Sequence, residues 1–538
     1  MCFKLVLFWI ALHLSSSVVL GYPLTKRPSP SHFSMFPRAS TLAARPASKA
    51  ELFEGSVKLA LSRVESARAM AQNLTLWHHK VPAKSPPSSI ADCLELFDDT
   101  IDLLANVISC GGGGTARGCE PDDVETWLSA SLTNQETCLD SLQEVNNVQE
   151  SHAGMMRTIS QNISHSLNHT LALYASTGPP EEASWHQRRA LLSSTLPHWV
   201  SGMDRKLLEA PVEEIKASTV VSKDGTGTHE TIGEALRFAH ALRAKEGGGS
   251  KGRTVIYVKA GTYKENLKIP SKQKNVMLVG DGKGKTVIVS NRNAKDGWTT
   301  FQSATVAAVG AGFMSRDITF VNNAGPDKHQ AVTLRVGSDR SVVYRCSILG
   351  YQDTLYTHSK RQFYRETDIY GTVDFIFGNS AVVFQKCNIY ARKPLSGQLN
   401  FVTAQGRTSP YQNTGISIHD CKIGAASDSV PLESKPTTFL GRPWKQYSRT
   451  VVMQSFLDGS IHPLGWSPWS GDFALKTLFY GEYQNSGPGA SIAGRVKWAS
   501  YHGSLTSAQA QPFTVAQFIS GNSWLPSTGV SFDSGLIG

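Results

Sequence analysis

Two patterns of hydrophobic and polar residues divide the chain. Between residues 51 and 177, apolar residues recur every three or four positions, the spacing of one helix face. One such face contains Cys93, Phe97, Ile101, Leu104 and Ile108. The same spacing runs through Leu52–Leu76, Val124–Val148 and Met155–Tyr174. Four amphipathic segments with short connections predict an all-α, up-and-down four-helix bundle over 51–177.

Residues 211–538 have a different pattern, with short β-type runs separated by glycine turns. The segments SRDITF, YRCSIL, YRETDIY, FQKCNIY and IHDCKIG align on Ile318, Ile348, Ile369, Ile389 and Ile423. A repeat of about 20 residues with occasional insertions is typical of the coils of a parallel β-helix. An ordinary β-sandwich would not explain why residues beyond the isoleucines also correspond. We therefore predict a mainly β chain, with a parallel β-helix over 211–538.

The segments outside these two regions indicate a secreted precursor. Lys4 and the apolar run Leu5–Gly21 predict a signal peptide over residues 1–21, with an uncleaved anchor as the alternative. Residues 22–50 are rich in proline and serine and predict a linker. Residues 178–210 form a second, polar linker, in which the sequence RKLL at 205–208 is a candidate processing site.

Three sequons support the secretory route, and we expect glycosylation at Asn73, Asn162 and Asn168. After signal cleavage we expect an extracellular protein with no integral membrane association, because no other stretch is apolar enough to cross a bilayer.

Composition limits the kinds of partner. The 538 residues are 40% hydrophobic and 18% charged, which excludes a disordered or fibrous protein. The net charge is +10, with 17 basic and 19 acidic residues in 1–208 and 36 basic and 24 acidic residues in 209–538. The basic second half predicts a polyanionic partner. Its charges are dispersed rather than clustered with aromatic residues, so we expect no nucleic acid partner.

Two motifs that could indicate a metal or a nucleotide fail on inspection. The sequence GDGKGKT at 280–286 has Val279 where a phosphate-binding loop needs its first glycine. His165 and His169 have the spacing of metal ligands on a helix but no evident third ligand. Neither motif therefore predicts a metal or nucleotide site.

The repeat brings two aspartates together. Asp353 lies five residues after Ile348, and Asp374 lies five residues after Ile369. On successive coils the two carboxylates would stack about 4.8 Å apart, so that one pKa is raised and the pair can share acid, base and nucleophile roles. A ladder of side chains that caps turns is the structural alternative.

Such a pair permits two chemistries. A glycosidase would use the aspartates as acid and base, whereas an esterase would use one as nucleophile and would need neutral donors for an oxyanion. Gln352 adjoins Asp353, and Gln330 lies about one coil earlier. The two amides slightly favour the esterase.

Three segments make the family recognisable. GYQDTLY (350–356), GTVDFIFGN (371–379) and LGRPWKQYSRT (440–450) resemble the signature segments of plant pectin methylesterases, in the same order and spacing. DCLELFDDT (92–100) and TWLSASLTNQETC (126–138) resemble the inhibitor domain that precedes many such enzymes. The sequence PHWVSGMDRKLL (197–208) resembles the processing junction between them.

The resemblance implies a right-handed β-helix and a role for each matching residue. Asp374 would be the nucleophile, Asp353 the proton donor and then base, and Gln352 and Gln330 the donors to the oxyanion. Arg442 would orient Asp374, while Trp444 and Thr300 would contact the sugar. The family needs no metal or organic cofactor. The implied partners are methyl-esterified pectin, a protease at RKLL and inhibitor proteins, and the implied location is the cell wall.

The cysteines partly depart from the family. By resemblance Cys93 pairs with Cys138, and Cys110–Cys119 would be an extra, local bridge. The early cysteine pair of the inhibitor family is absent, which puts inhibitory competence in doubt. Thr367 stands where many relatives have a cysteine, so Cys387 loses its usual partner, and Cys346 lies two coils away, beyond disulfide reach.

The function predicted on these grounds is hydrolysis of the methyl esters of homogalacturonan, giving methanol and acidic pectin. A pectin-depolymerising β-helix hydrolase is the alternative enzyme, and it would leave the GRPW segment without a role. A wall-binding or inhibitor protein that only grips pectin is the non-enzymatic alternative.

Overall fold

The bundle predicted for the first half is present. A computed structural model describes residues 48–77, 89–110, 119–144, 150–177, 215–245, 252–427 and 437–538. Its first four helices are α1 (Lys49–Trp77), α2 (Ser89–Ser109), α3 (Pro121–Glu144) and α4 (Glu150–Thr177). The signal peptide, nearly all of the first linker and the RKLL segment lie outside the described residues.

The bundle has an apolar core, because each helix buries one face, and this core continues into Phe301, Tyr356 and Phe377 of the β-helix. On α2, Cys93, Phe97 and Leu104 are fully buried, whereas Ile101 and Ile108 are partly buried at the edge of the core. The Cys93–Cys138 disulfide joins α2 to α3, and Cys110–Cys119 closes the connection between them.

The second half forms three parallel sheets that wind around one interior. Its strands are numbered in chain order, and from β2 to β25 successive strands in the chain fall in different sheets. The first sheet contains β1 (Thr219–Val221), β2 (Thr254–Val258), β5 (Val276–Gly280), β8 (Met314–Arg316), β11 (Ser341–Tyr344), β14 (Arg361–Arg365), β17 (Ala381–Gln385), β20 (Gly415–His419), β23 (Arg449–Met453), β25 (Phe479–Tyr483) and β26 (Tyr501–His502).

The second sheet carries the candidate site and contains, in spatial order, β22 (Thr438–Pro443), β19 (Asn400–Gln405), β16 (Ile376–Gly378), β13 (Leu355–Thr357), β10 (Leu334–Val336), β7 (Val306–Ala308) and β4 (Leu267–Ile269). The third contains β24 (Phe456–Leu457), β21 (Lys422–Ala425), β18 (Asn388–Ala391), β15 (Asp368–Gly371), β12 (Ser347–Leu349), β9 (Thr319–Asn322), β6 (Thr286–Ser290) and β3 (Gly261–Lys264). This is the parallel β-helix that the repeat predicted.

Short helices cover the β-helix at its margins. Helix α5 (Ile232–Lys245) packs against β1, β2 and β4, and its residues Ile232 and Leu236 join the interior core. Near the C-terminus, α6 (Ser507–Ala510), α7 (Val515–Phe518) and α8 (Gly521–Trp524) follow one another. Val515 and Trp524 pack on the outer face of the first sheet, so this face is buried.

The isoleucine ladder is correct for four coils and wrong for the first. Ile348, Ile369, Ile389 and Ile423 are paired in register across β12, β15, β18 and β21. The partner of Ile348 on β9, however, is Phe320 and not Ile318. Both of these side chains are fully buried. Because β-strand side chains alternate with a period of two, a hydrophobic pattern does not distinguish registers that differ by two residues.

The cysteine ladder follows the same register. Pairing in the third sheet places Cys346, Thr367, Cys387 and Cys421 on successive coils, and the Cys387 amide donates to the Cys421 Sγ at 3.3 Å. In the described part of the chain, Cys346, Cys387 and Cys421 carry free, buried thiols. Thr367 occupies the ladder position between Cys346 and Cys387, and its Oγ1 donates to the carbonyl of Arg365 at 3.1 Å.

We expect the variant Thr367→Cys to form a disulfide with Cys387 and to unfold at a higher temperature, because the two positions lie on neighbouring coils. The gain should be about 2–4 kcal/mol, the usual range for a bridge. Thiol titration after denaturation and a thermal melt measure the two effects. Three titratable thiols are expected in residues 211–538 of the parent chain. A variant that keeps the new thiol free under oxidising conditions would contradict the register.

The bundle and the β-helix belong to one compact unit, residues 48–538. Ion pairs join them: Asp99 accepts from Lys360 at 2.9 Å, and Asp123 accepts from Arg361 at 2.6 Å. Within the described ranges, none of the helices combines the length and apolar character needed to span a membrane.

Candidate active site

Asp353 and Asp374 stand one above the other at the start of two neighbouring strands. Leu355 on β13 is paired with Ile376 on β16, which puts the aspartates, two residues before each, in the same register on coils about 4.8 Å apart. Both adopt a left-handed backbone, with φ of 59° and 51°. Aspartate tolerates this conformation better than most residues. Both residues are buried.

Arg442 on β22 binds one member of the pair. Its Nε donates to Asp374 Oδ1 at 2.8 Å and its Nη2 to Oδ2 at 2.6 Å, a bidentate, charge-assisted contact. The guanidinium lies between the rings of Phe401 and Trp469, 4.1 Å and 4.4 Å from their centroids. These contacts fix the orientation of the Asp374 carboxylate.

The surroundings of Asp353 and Asp374 affect the pKa values of the two carboxyl groups differently. Burial raises the pKa of Asp353 well above its ordinary value, and the nearby charges of Asp374 and Glu144 raise it further. Burial also raises the pKa of Asp374, but hydrogen bonding and charge from Arg442 oppose that rise. Of the two carboxyl groups, the charged form is therefore favoured at Asp374 and disfavoured at Asp353.

The outward-facing side chains of the second sheet form what we call the cleft floor. In register across the strands they are Lys268, Ala307, Arg335, Tyr356, Phe377, Ala404 and Arg442. A cavity of about 240 Å³ lies above the middle of this floor, and Gln330, Gln352, Thr300 and Trp444 line it together with the two aspartates. The structure thus brings all seven predicted site residues to one cavity.

The remaining wall of this cavity comes from helix α3 of the bundle. Thr137, Asp140, Ser141 and Glu144 line it. Thr137 Oγ1 lies 3.0 Å from His358 Nε2, Lys445 donates to Asp140 at 2.7 Å, and the backbone amide of Thr300 donates to Glu144 Oε2 at 2.7 Å. The bundle therefore closes the cleft above the aspartate pair.

Two bundle carboxylates at this contact are perturbed by burial. The pKa of Glu144 is raised to about 7, because burial outweighs the hydrogen bond from Thr300. The pKa of Asp92 is raised to about 6 for the same reason, although Thr299 Oγ1 donates to it at 2.6 Å. Both groups hold a proton more firmly than free carboxyl groups do.

Comparison with known proteins assigns the family. Residues 218–522 match the family model described as pectinesterase, and residues 31–173 match the model described as plant invertase/pectin methylesterase inhibitor. The chain belongs to the pectinesterase family. As a pectinesterase, it is a carboxylic ester hydrolase.

Three relatives show how far the similarity extends. The chain is 57% identical over 511 residues to "Probable pectinesterase/pectinesterase inhibitor 16" of Arabidopsis thaliana, covering 95% of this chain and 92% of the relative. It is 51% identical to "Pectinesterase 2" of Citrus sinensis, covering 90% and 89%. The solved "Pectin methylesterase from Carrot" superimposes with a TM-score of 0.57 at 56% identity, covering 60% of this chain and 99% of that one. The matched 60% of this chain is about the length of residues 211–538.

Sequence reasoning missed the residues that surround the predicted ones. The rings of Phe401 and Trp469 lie outside the repeat segments that align, so no signal singled them out. The bundle residues at the cavity could have been suspected, because Thr137 lies within TWLSASLTNQETC. Asp140 and Glu144 follow it on the same helix of the pectinesterase.

The structure also locates the predicted glycosylation sites and the two histidines with metal-ligand spacing. Asn73, Asn162 and Asn168 are exposed on the bundle, and Ser409 of the β-helix donates to Asn168 Oδ1 at 2.6 Å. His165 and His169 are exposed on α4. The described residues of this pectinesterase hold no cluster of three or more side chains suited to a metal ion.

Proposed function

We propose that this pectinesterase removes methyl groups from homogalacturonan with Asp374 as nucleophile and Asp353 as acid and base. The observation that carries the proposal is the stacked pair in which Arg442 binds only Asp374. One carboxylate is thereby oriented for attack while its neighbour keeps a proton.

The steps follow from these positions. The Asp374 carboxylate attacks the ester carbonyl, and the oxyanion accepts hydrogen bonds from the amides of Gln330 and Gln352. The tetrahedral intermediate collapses to an acyl-enzyme, and the departing methoxide takes the Asp353 proton and leaves as methanol. Asp353, now ionised, takes a proton from water, which attacks the acyl group and restores Asp374. Trp444 and Thr300 would contact the sugar.

A methanol assay tests this function. Methylated pectin should yield methanol and new carboxylates with no increase in reducing ends. New reducing ends would indicate the depolymerising hydrolase instead. Binding of pectin without either product would indicate a protein that only grips the polysaccharide.

The proposed site of action is the cell wall, after secretion and processing. The apolar run before Gly21 supports a signal peptide, and RKLL at 205–208 supports cleavage between the two halves. We expect the mature protein to begin at Glu209. N-terminal sequencing of protein recovered from the wall checks this, and recovery of only full-length, active chains would contradict it.

The perturbed carboxyl groups predict that bundle docking depends on pH. A carboxyl whose pKa rises on docking stabilises the docked state below its free pKa, and this stabilisation is lost as pH rises through the docked value. With the pKa of Asp92 raised from 3.8 to about 6 and that of Glu144 from 4.5 to about 7, docking should weaken between about pH 4 and 7. The nearby charges of Asp140 and Asp92 reinforce the rise in the pKa of Glu144.

The variant Glu144→Gln should therefore keep the uncut chain docked to higher pH, since the neutral amide oxygen can still accept from Thr300. The pH at which the uncut chain gains activity, relative to the β-helix alone, measures this. Glu150→Gln, an exposed acid on α4, serves as the control. Equal pH profiles for Glu144→Gln and the parent would contradict the prediction.

A further inference from the structure

Arg442 has to cross a whole strand to reach Asp374. It belongs to β22, whereas Asp374 precedes β16, and β19 lies between these two strands. At about 4.8 Å a strand, the two backbones are about 10 Å apart. The residue in register with Arg442 on β19 is Ala404, whose small side chain does not obstruct this path. An arginine side chain has many rotamers, so its extended form needs contacts along its length as well as at its tip.

Phe401 supplies such a contact where the guanidinium crosses β19. It is in register with Asp374, because Ile376 and Thr403, two residues after each of them, are paired. The guanidinium carbon of Arg442 lies 4.1 Å from the centroid of the Phe401 ring. An arginine guanidinium stacks favourably on an aromatic face. The aspartate ladder therefore continues, one coil further, in a ring that supports the partner of Asp374.

Other rings hold Phe401 in place. Its side chain stacks on that of Phe439, which is in register with it on β22, with ring centroids 5.7 Å apart and 20° between the planes. Phe439 stacks in turn on His462, at 4.5 Å and 21°. Phe401 and Phe439 are only 8% and 6% exposed, and both pack with Val373. A ring packed in this way has little freedom to turn, so it offers Arg442 a fixed surface.

Trp469, on the other side of the guanidinium, has a different environment. Its ring centroid lies 4.4 Å from the guanidinium carbon of Arg442. It stands outside the strands of the second sheet, and it lines the cavity above the aspartate pair. Phe401 is not one of the described residues that line this cavity. An effect of Phe401 on the reaction would therefore pass through Arg442 and not through contact with the substrate.

We propose that Phe401 is a positioning residue for ester hydrolysis, whose ring holds the Arg442 guanidinium in its bidentate contact with Asp374. This inference rests on the proposed function. With the ring in place, the guanidinium is confined to the position in which it binds both carboxylate oxygens of Asp374. Without the ring, Arg442 would gain rotamers and hydration, and the bidentate contact would form only part of the time. The carboxylate would then be less well oriented for attack.

The variant Phe401→Leu tests this role, because leucine keeps the position apolar and buried but has no flat face. We expect kcat for methanol release to fall about tenfold, with KM unchanged within a factor of about two. The acid limb of the pH profile of kcat/KM should move to higher pH. Burial, which raises the pKa of Asp374, remains in this variant, whereas the opposing effect of Arg442 weakens. Phe401→Tyr keeps the ring face and should restore the parent values.

Phe384→Leu is the matched control. Phe384 is a fully buried ring in the interior core, stacked on Tyr364 with ring centroids 4.7 Å apart. Its replacement should lower the melting temperature but leave kcat and the pH profile unchanged. Phe401→Met, which also lacks a ring, is used if thermal melts show that Phe401→Leu is unfolded. All proteins are compared in the same form, as the full chain cleaved after Leu208.

A second measurement does not depend on activity. An NMR titration of the Asp374 carboxyl group, in protein with labelled aspartate, should show a higher pKa in Phe401→Leu than in the parent. Unchanged kcat and an unchanged Asp374 pKa in the folded variant would overturn the positioning role. A rise in KM alone, or an equal fall of kcat in Phe384→Leu, would overturn it as well. Absence of methanol release from the parent would overturn the proposed function instead, whatever the titration shows.

Discussion

Replacing Asp374 with alanine is expected to abolish methanol release from methylated pectin while leaving the fold intact. Removal of a nucleophile typically costs roughly 10⁴-fold or more in kcat, and among the described residues Arg442 binds no other carboxylate. The β-helix should survive, because the strands on either side of residue 374 keep their ladders and cores. Methanol release and a thermal melt of the purified variant measure the two effects.

Asp368→Ala is the matched control. Asp368 lies one strand earlier, pairs with Lys283 and faces away from the cleft, so its loss should leave the rate within a factor of about two, as for most surface positions. Near-normal activity in folded Asp374→Ala would refute the assigned nucleophile. Equal losses in both variants would point to a structural effect.

Separation of the bundle from the β-helix should change the rate of methanol release by nearly as large a factor as the Asp374→Ala substitution. While α3 lies over the cavity, a polysaccharide cannot reach Asp353 and Asp374. Because the bundle is tethered, docking is intramolecular and competes effectively with substrate. We expect the uncut chain to be about 100-fold or more less active at pH 5 than the β-helix domain alone. Initial rates of methanol release at equal molar concentration measure the difference.

A variant that weakens the contact between the bundle and the β-helix without cutting the chain is the control for this experiment. Lys360→Ala removes the buried partner of Asp99, and loss of one member of a buried pair costs about 3–5 kcal/mol. The uncut Lys360→Ala chain should regain much of the missing activity, whereas the isolated domain with the same change should not gain any. Equal rates for the uncut chain and the isolated domain would show that the cleft remains accessible when the bundle is attached.

The sequence predicts the aspartate pair well for a physical reason. A coil of fixed length returns each residue to the position above its counterpart, so a repeat in one dimension defines a ladder in three. Asp353 and Asp374 follow from that alone, and the family segments add Arg442. The first coil was misaligned because Ile318 and Phe320 both point inward, which is a local ambiguity in the same reasoning.

Docking of the bundle follows no such periodic rule. It depends on single pairs between residues about 200 positions apart, such as Asp92 with Thr299. Periodicity shows which face of α2 is apolar, but Glu95 and Asp99 look like ordinary solvated acids until their partners on the β-helix are known.

The backbone at the two aspartates has a consequence for stability. A left-handed conformation costs a residue with a side chain about 1 kcal/mol relative to glycine, and a carboxyl group is an unfavourable occupant of a buried position. Asp353 and Asp374 meet both conditions. At Asp353, one of the two positions proposed to carry the chemistry, the fold would gain from another residue. An inactive form of this enzyme with glycine in place of Asp353 would be expected to outlast the active one on heating, whereas glycine in place of Asp374 would also leave Arg442 without its carboxylate partner.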